Sequence, residues 1–503
     1  MPRHFAPAAP KVTLPIGQLL SVQAARDPHR PALSCDDLTL TRAELAARVH
    51  RRARAMQAAG VEEGDFVAIA LPNGTAFLEV AFACWNLGAT PAPVSHRLPP
   101  LEMQALLELL QPRLVVGGEA AQAAGVPIVT EQSLYDPSLS ADPLPERVSQ
   151  HVKAIASGGS TGRPKVIVDH ARSVLDPDVP SLGMQCGDTV VIPGPMYHSA
   201  PFGLAYQALC WGCHVVITPR FDAAGTLRMI ERHRGQWLYQ VPTMMHRIWR
   251  LDPAERASFD LSSLEIVCHI AAACPVWLKE KWIEWLGPDA VWEVYSGTEA
   301  IAATMIGGRE WLEHKGSVGR LMPGASVRIL DEAGNDVAPG EVGEIYFLPA
   351  GGKGATYHYL GAEPRARGDW ETFGDLGRID ADGYLYLADR RTDLIISGGA
   401  NIYPADIEAA IDSHPAVLAS VVIGLPDQDL GQRAHAILEV RDGTAPLDLA
   451  ALQQFLSARL VSYKLPRSFE TTTERLRDDS GKVRRGALRE ARVGSASDVP
   501  SVP

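Results

Sequence analysis

The sequence predicts an α/β protein: a large N-terminal domain of layered α/β sheets with a β-rich subdomain, then a small α+β domain. Three observations carry this. From Ile16 to Leu110, helical periodicity alternates with short apolar runs, the pattern of helices layered on a mostly parallel sheet. Between Val327 and Leu387 the texture changes to short strands separated by glycine turns, which reads as antiparallel β. Past the charged segment Asp389-Arg-Arg-Thr-Asp393 a compact α/β pattern resumes, and 503 residues are long for one core. The predicted boundaries are therefore residues 1–388, a junction at 389–393, a second domain at 394–493, and a disordered tail at 494–503, rich in small residues and proline.

The elements follow in order. Thr41 opens a helix running to Ala59, and Glu44, three residues on, completes a capping box. Phe66 to Leu71 is a strand stopped by Pro72-Asn-Gly, and Ala76 to Leu87 is a helix. Short apolar runs give strands at Val152 to Ala156 and Val166 to Val168, flanking a glycine loop. Further strands are expected at Leu114 to Val116, Thr189 to Ile192, His214 to Ile217, Ile266 to Ile270 and Val291 to Val294. The β-rich part holds Val327 to Leu330, Glu344 to Leu348 and Tyr384 to Leu387. In the last domain, helices are expected at Ile407 to Ser413 and Leu449 to Leu460, with strands at Val417 to Gly424 and Ala434 to Val440.

Composition narrows the function. Hydrophobic residues at 46% and charged residues at 21% are ordinary for a globular enzyme, and a net charge of −12 gives nucleic acid no electrostatic foothold. No apolar run reaches the roughly 18 residues of a membrane span, and Met1 to Leu14 carries proline and charge where a signal peptide would be apolar. The expectation is a cytoplasmic protein with no integral membrane association. Seven scattered cysteines fit reduced thiols better than a disulfide framework. Cys210-Trp-Gly-Cys213-His214 matches redox and haem-attachment patterns, but its flanks read as a helix end turning through Gly212 into a buried strand.

The chemistry is concentrated in a few segments. Ser157-Gly158-Gly159-Ser160-Thr161-Gly162-Arg163-Pro164-Lys165 combines glycines, whose backbone N–H groups can approach an anion, with the hydroxyls of Ser160 and Thr161 and two cations. That composition grips a polyphosphate, although a glycine-rich turn alone would be similar. It lacks the Walker spacing. His198 stands in Pro195-Met-Tyr-His198-Ser-Ala-Pro201-Phe-Gly203, past a strand end, where α/β proteins place ligands. Ala271-Ala272-Ala273-Cys274-Pro275 is a small-residue run on which a flat ring can lie. Tyr295-Ser-Gly297-Thr298-Glu299 offers an aromatic ring, a hydroxyl and a carboxylate at another strand end, suited to stacking, phosphate contact and Mg²⁺ ligation. Phe373-Gly-Asp375-Leu-Gly377, Arg390, Ile395-Ile-Ser-Gly-Gly399 and Asp478-Asp-Ser-Gly-Lys482 complete the set.

In this order the motifs resemble those of the acyl-adenylate-forming superfamily, the AMP-binding enzymes that include acyl-CoA synthetases, adenylation domains and beetle luciferases. The likeness extends from about residue 16 to 490. It implies ATP, Mg²⁺ and CoA as cofactors and co-substrates, with a small-molecule carboxylic acid as substrate. It further implies that residues 157–162 and Lys165 hold the β- and γ-phosphates, Ala272 and Ala273 carry adenine, and Tyr295 stacks on it beside Gly297. Thr298 touches the α-phosphate, Glu299 holds Mg²⁺, Asp375 and Arg390 bind the ribose, and His198 borders the acyl pocket. Gly399 lines the pantetheine tunnel and Lys482 is the adenylation lysine of a mobile C-terminal domain hinged at 389–393. Thr392 stands where the family commonly has Asp or Lys, Ser296 and Gly297 are exchanged relative to the usual Tyr-Gly-x-Thr-Glu, and Phe373 replaces a common Thr.

The implied activity is an ATP-dependent acid–CoA ligase that makes an acyl-AMP with release of pyrophosphate and then an acyl-CoA. The alternative is a stand-alone adenylation enzyme loading a carrier protein; luciferase-like or lactone-forming outcomes and a non-catalytic nucleotide binder stand further off. The acyl pocket is expected around His198 to Gly203, Val241 to Met245 and Ala300 to Thr304, whose small and apolar side chains suggest an apolar acid. The spelling of the loop and of Tyr295 to Glu299 resembles bile-acid and steroid-acid CoA ligases, favouring a bulky ring-bearing acid over aryl or medium-chain fatty acids. A homodimer is left open.

Overall fold

The computed structural model describes residues 3, 5, 11–117, 125–158, 164–397, 400–443, 446–478 and 481–493, with only the backbone of Ser157, Gly158 and Arg390. Its centre is a run of parallel strands. Pro31–Cys35, His214–Ile217, Thr189–Ile192, Trp237–Gln240, Ile266–Ile270 and Val291–Ser296 lie side by side in that order, all parallel. Their residues are almost all buried, as expected when helices cover both faces. Ala303–Gly307 then returns antiparallel and, through Ser317–Leu321, leads the sheet into the β-rich part formed by Leu385–Arg390, Asp375–Ile379 and Gly343–Pro349.

A second parallel sheet holds Thr90–Pro93, Phe66–Ile69, Leu114–Val116 and Ile128–Val129. Between the sheets runs the helix Thr75–Asn86, every residue of which but Ala76 is buried. An apolar surface all round marks such a core helix. Its Trp85 packs on Phe202 and Tyr206 at ring distances of 5.9 and 4.9 Å, and donates from Nε1 to the Val152 carbonyl at 2.9 Å. The same helix buries Glu79, whose carboxylate takes Arg48 at 2.8 Å and Arg52 at 2.5 Å.

Most expected elements stand where apolar periodicity placed them. Leu114–Val116, Thr189–Ile192, His214–Ile217 and Ile266–Ile270 keep their bounds. The first long helix is Arg42–Ala58 with Thr41 as its cap, and the reciprocal Thr41–Glu44 bonds of the capping box are formed. The flanks of the glycine loop make an antiparallel hairpin, Ala154–Gly158 against Pro164–Asp169. Cys210 ends the helix Ser199–Cys210 and Cys213 follows Gly212 at φ 72°, both buried as free thiols. Other bounds shift. The helix expected from Ile407 begins at Pro404, which occupies the first turn where its missing N–H costs nothing. The strand expected at 417–424 runs as Ala419–Asp427, because Leu425 and Pro426 continue the ladder against Arg433 and Gln432. Thr90–Pro93, with two prolines, gave no strand signal yet lies parallel to Phe66–Ile69.

The C-terminal part has its own core around Ile395, Ile407, Val422 and Leu438, and a sheet built from Ala400–Ile402, Ile395–Ser397, Gly431–Glu439, Ala419–Asp427 and Ser468–Thr472. Arg250 joins it to the first part. Its guanidinium donates to the carbonyls of Asp412, His414, Pro415 and Val417 at 2.8–3.0 Å, where the helix Pro404–Asp412 ends. Among the described residues no helix is long and apolar enough to cross a membrane. The residues expected to form the tail, 494–503, lie outside the described ones.

Two measurements test this packing. Glu79→Gln leaves Arg52 with an unmatched buried charge and should lower stability by about 3 kcal/mol in urea unfolding. Burial holds the imidazoles of His50 and His214 down to about 4 and that of His246 to about 3. The unfolded chain takes up protons on them from about pH 6.5 downward while the native protein does not, so falling pH favours unfolding. Each adds about 1.4 kcal/mol per pH unit in that window, and Tm should drop steeply from pH 6.5 to about pH 4.

Candidate active site

Four neighbouring strands, Thr189–Ile192, Trp237–Gln240, Ile266–Ile270 and Val291–Ser296, run parallel, so the loops after their C-terminal ends emerge at one edge. Those loops carry His198, Ala271–Ala273 and Gly297–Glu299, and Thr243 lies in the first turn of the helix Pro242–Trp249 that follows the second strand. Ala271 and Ala300 hold left-handed backbone at φ 79° and 51°, an arrangement that L residues adopt only where surroundings enforce it. Ala272 and Ala273 lie exposed at this edge.

Tyr295 and Asp375, 80 residues apart, meet directly: the phenol donates to the carboxylate at 2.8 Å. Asp375 also pairs across the sheet with the backbone of Arg390. The side chain of Arg390, and residues Gly159, Ser160, Thr161, Gly162 and Gly399, lie outside the described residues; Ser157 and Gly158 are placed by backbone alone, opposite Lys165 and Pro164. The exchange of Ser296 and Gly297 has a local cause. The Ser296 hydroxyl donates to the Ala302 carbonyl at 2.8 Å, while a Cβ at 297 would fall inside the Phe373 ring and 2.9 Å from Glu299 Oε2. Phe373 thus fills space against Gly297 and packs near Tyr295, with ring centres 6.0 Å apart. Thr298 sits half-buried in the turn.

Lys165 reaches Glu299, with Nζ 3.6 Å from Oε1, and lies over the Tyr359 ring at 4.0 Å. Tyr359 donates to the same Oε1 at 2.6 Å. Burial and then the Glu299 charge push the Tyr359 phenol up, so it remains a donor. Among the described residues no group of three or more His, Cys, Asp or Glu is arranged to hold a metal ion. A lone Glu299 carboxylate suits magnesium all the same, because that ion takes hard oxygens and is usually shared between one or two carboxylates and substrate phosphates.

His198 caps the helix Ser199–Cys210, with the Tyr197 ring 4.5 Å away and its own Nε2 buried without a hydrogen-bond partner. Burial first, then the positive charge of Lys482, hold this imidazole down to about 3, against an opposing pull from Asp478. The turn bearing Lys482 packs on Thr243, at the same edge of the sheet. It is seated closely: a Cβ on Gly481 would lie 2.7 Å from Thr243 Oγ1, and Gly481 itself takes φ 80°. Asp478 closes the turn by accepting the Lys482 N–H at 2.9 Å. Next to Ser296 opens a cavity of about 250 Å³, lined by Ala300, Ile301, Ala302, Ala303 and Met322 among others.

Sequence reasoning passed over Asn73 and Tyr359, and had Thr243 only as part of the acyl-pocket stretch Val241 to Met245. Asn73 was legible only as a turn residue, yet it donates to the Gly194 and Thr218 carbonyls at 2.9 and 3.0 Å and accepts the Met196 N–H at 2.8 Å, pinning the loop before His198. Tyr359 sits on Tyr357–Leu360, next to Pro164–Asp169, a pairing nearly 200 residues apart in sequence. At the junction, Arg391 pairs with Glu344 at 2.8 Å and Asp393 with Arg485 at 2.9 Å, leaving exposed Thr392 between a tie to each side.

Comparison with known proteins identifies the family. The sequence matches the AMP-binding enzyme family over residues 20–355 and the AMP-binding enzyme C-terminal domain over residues 406–482. It is 33% identical to a feruloyl-CoA synthase of Amycolatopsis sp., covering 93% of this chain and 97% of the relative. It is 30% identical to a 2-succinylbenzoate–CoA ligase of Bacillus licheniformis, covering 93% and 98%. Among solved structures it resembles o-succinylbenzoate CoA synthetase of Bacillus subtilis in complex with its acyl-adenylate intermediate, at a TM-score of 0.80 and 25% identity, over 98% of this chain and 100% of that one. With both family domains matched in order over most of its length, this chain belongs to the AMP-binding enzymes.

Proposed function

We propose that this protein is an ATP-dependent acid–CoA ligase that activates a ring-bearing carboxylic acid as its acyl-adenylate. The observation that carries this is the convergence of the Lys482 turn with His198, the Tyr295–Asp375 pair and the Lys165–Glu299 pair at one edge of the parallel sheet. In this reading residues 1–388 bind nucleotide and acid, 389–393 form the hinge, and 394–493 form the moving domain. The paired ties on either side of Thr392 support a pivot at that position.

A carboxylate oxygen of the acid attacks the α-phosphorus of ATP, the bond from that phosphorus to the bridging oxygen breaks, and pyrophosphate leaves. Residues 157–162 and Lys165 hold the departing β- and γ-phosphates, with Thr298 at the α-phosphate. Tyr295, Gly297 and Ala272–Ala273 cradle adenine, and Asp375 with Arg390 takes the ribose. Glu299 would hold magnesium, which would supply charge neutralisation to the phosphates. Lys482 adds a mobile positive charge where negative charge develops, which selects the transition state over the ground state. The neutral His198 borders the carboxylate without repelling Lys482. In the second half-reaction the CoA sulfur, as thiolate, attacks the acyl carbonyl carbon, the bond to the AMP oxygen breaks, and AMP leaves. Lys482 must withdraw first, and Gly399 is assigned to the pantetheine path.

The cavity beside Ser296, walled by small side chains, supports an acid with a ring system. The acids named in the relatives' descriptions, ferulate and succinylbenzoate, are aryl acids and support that class over linear acids. The free thiols support a reducing, cytoplasmic setting.

Two experiments test this. Lys482→Ala should cut ATP–pyrophosphate exchange by about 10² or more while leaving CoA attack on a supplied acyl-adenylate within a few-fold; intact exchange would remove Lys482 from the mechanism. A thioester-forming screen over aryl, steroid and medium-chain acids, with CoA or a phosphopantetheinyl carrier as acceptor, should give an aryl or other ring-bearing acyl-CoA. Exclusive turnover of short linear acids would reject the pocket assignment, and turnover with the carrier alone would make this a carrier-loading enzyme.

A further inference from the structure

Glu299 does not stand alone at the phosphate end of the site. Its Oε1 accepts the Tyr359 hydroxyl at 2.6 Å and lies 3.6 Å from Lys165 Nζ, while its backbone carbonyl accepts the Thr356 hydroxyl at 2.9 Å. The same Tyr359 presents its ring face to Lys165, 4.0 Å from the ammonium. Both contacts come from one strand: Tyr357–Leu360 lies antiparallel to Pro164–Asp169, with Tyr359 opposite Ile167, so the tyrosine is built in beside the end of the glycine hairpin. Its neighbour Tyr357 is only 2% exposed and packs edge-on at 4.8 Å, which fixes the ring. One residue therefore touches both charges that must be separated before a metal–nucleotide complex can enter.

We propose that Tyr359 is a positioning residue for the Glu299 carboxylate: it holds Oε1 through its hydroxyl, turns Oε2 toward the divalent cation, and keeps Lys165 on its ring face instead of fully against the carboxylate. This rests on the reading that Glu299 takes the metal and Lys165 the phosphates. A hydrogen bond to a ligating carboxylate fixes its orientation, and its loss commonly weakens metal binding by about tenfold or more. The ring face adds an attraction for the lysine that is independent of the hydroxyl. The two functions of the side chain are thus separable by substitution.

Tyr359→Phe keeps the ring and loses the hydroxyl. In ATP–pyrophosphate exchange the Mg²⁺ concentration for half-maximal rate should rise about tenfold, while the KM for ATP at saturating Mg²⁺ changes less than twofold. Tyr359→Leu, which also removes the ring, should raise both. Mn²⁺ binding in the presence of a non-hydrolysable ATP analogue, followed by electron paramagnetic resonance, should weaken by the same factor in Tyr359→Phe without turnover entering. Glu299→Gln serves as the reference and should abolish that Mn²⁺ signal. If Glu299→Gln loses the signal but Tyr359→Phe and Tyr359→Leu change only melting temperature, with metal dependence unmoved, the proposal for Tyr359 is overturned and the reading of Glu299 survives. If Glu299→Gln binds Mn²⁺ as the parent does, the reading of Glu299 fails and the proposal with it.

Discussion

The parallel alignment of four adjacent strands is the constraint on which this protein's chemistry depends. Because Thr189–Ile192, Trp237–Gln240, Ile266–Ile270 and Val291–Ser296 all run the same way, each crossover returns the chain to the same edge, and four loops from distant parts of the sequence end there. A parallel sheet needs cover on both faces, so it also dictates the buried helix Thr75–Asn86 and the aromatic cluster around Trp85. The site is thus a by-product of how the sheet must be packed.

Electrostatics within the site follow one pattern: the groups proposed to meet the substrates are engaged with one another. Lys165 lies against Glu299, and Tyr295 donates to Asp375. Each pairing satisfies a polar group that would otherwise face a costly partial burial. Each also sets the distance over which the group must move to meet its ligand. His198 is the exception, kept neutral by burial and by Lys482, so it adds no charge at this edge.

Much of this was legible in the sequence, and the reason differs by element. A buried parallel strand such as Leu114–Val116 is an unbroken apolar run bounded by Pro112-Arg113 and Gly117, so its bounds could be read to the residue. The Thr41–Glu44 cap is a local pattern and was equally plain. Thr90–Pro93 was not, because prolines signal a break and only the neighbouring strand makes it a sheet member. At the candidate site, the loop motifs are local patterns and could be read, whereas Asn73 and Tyr359 work through partners over 50 residues away and leave no local trace. The Phe373 ring explains Gly297 only once the two segments are seen in contact.

Arg250 holds the second part of the chain by the frayed end of a helix, gripping carbonyl oxygens that water would solvate almost as well. Releasing that grip exposes a guanidinium and several acceptors to solvent, and each finds a replacement partner at once. The free-energy difference between held and released arrangements is therefore small, and it depends on how much water is available to take over. Osmolytes that withdraw water should strengthen this grip, so the hydration of one helix end sets how firmly the two parts of the chain are joined.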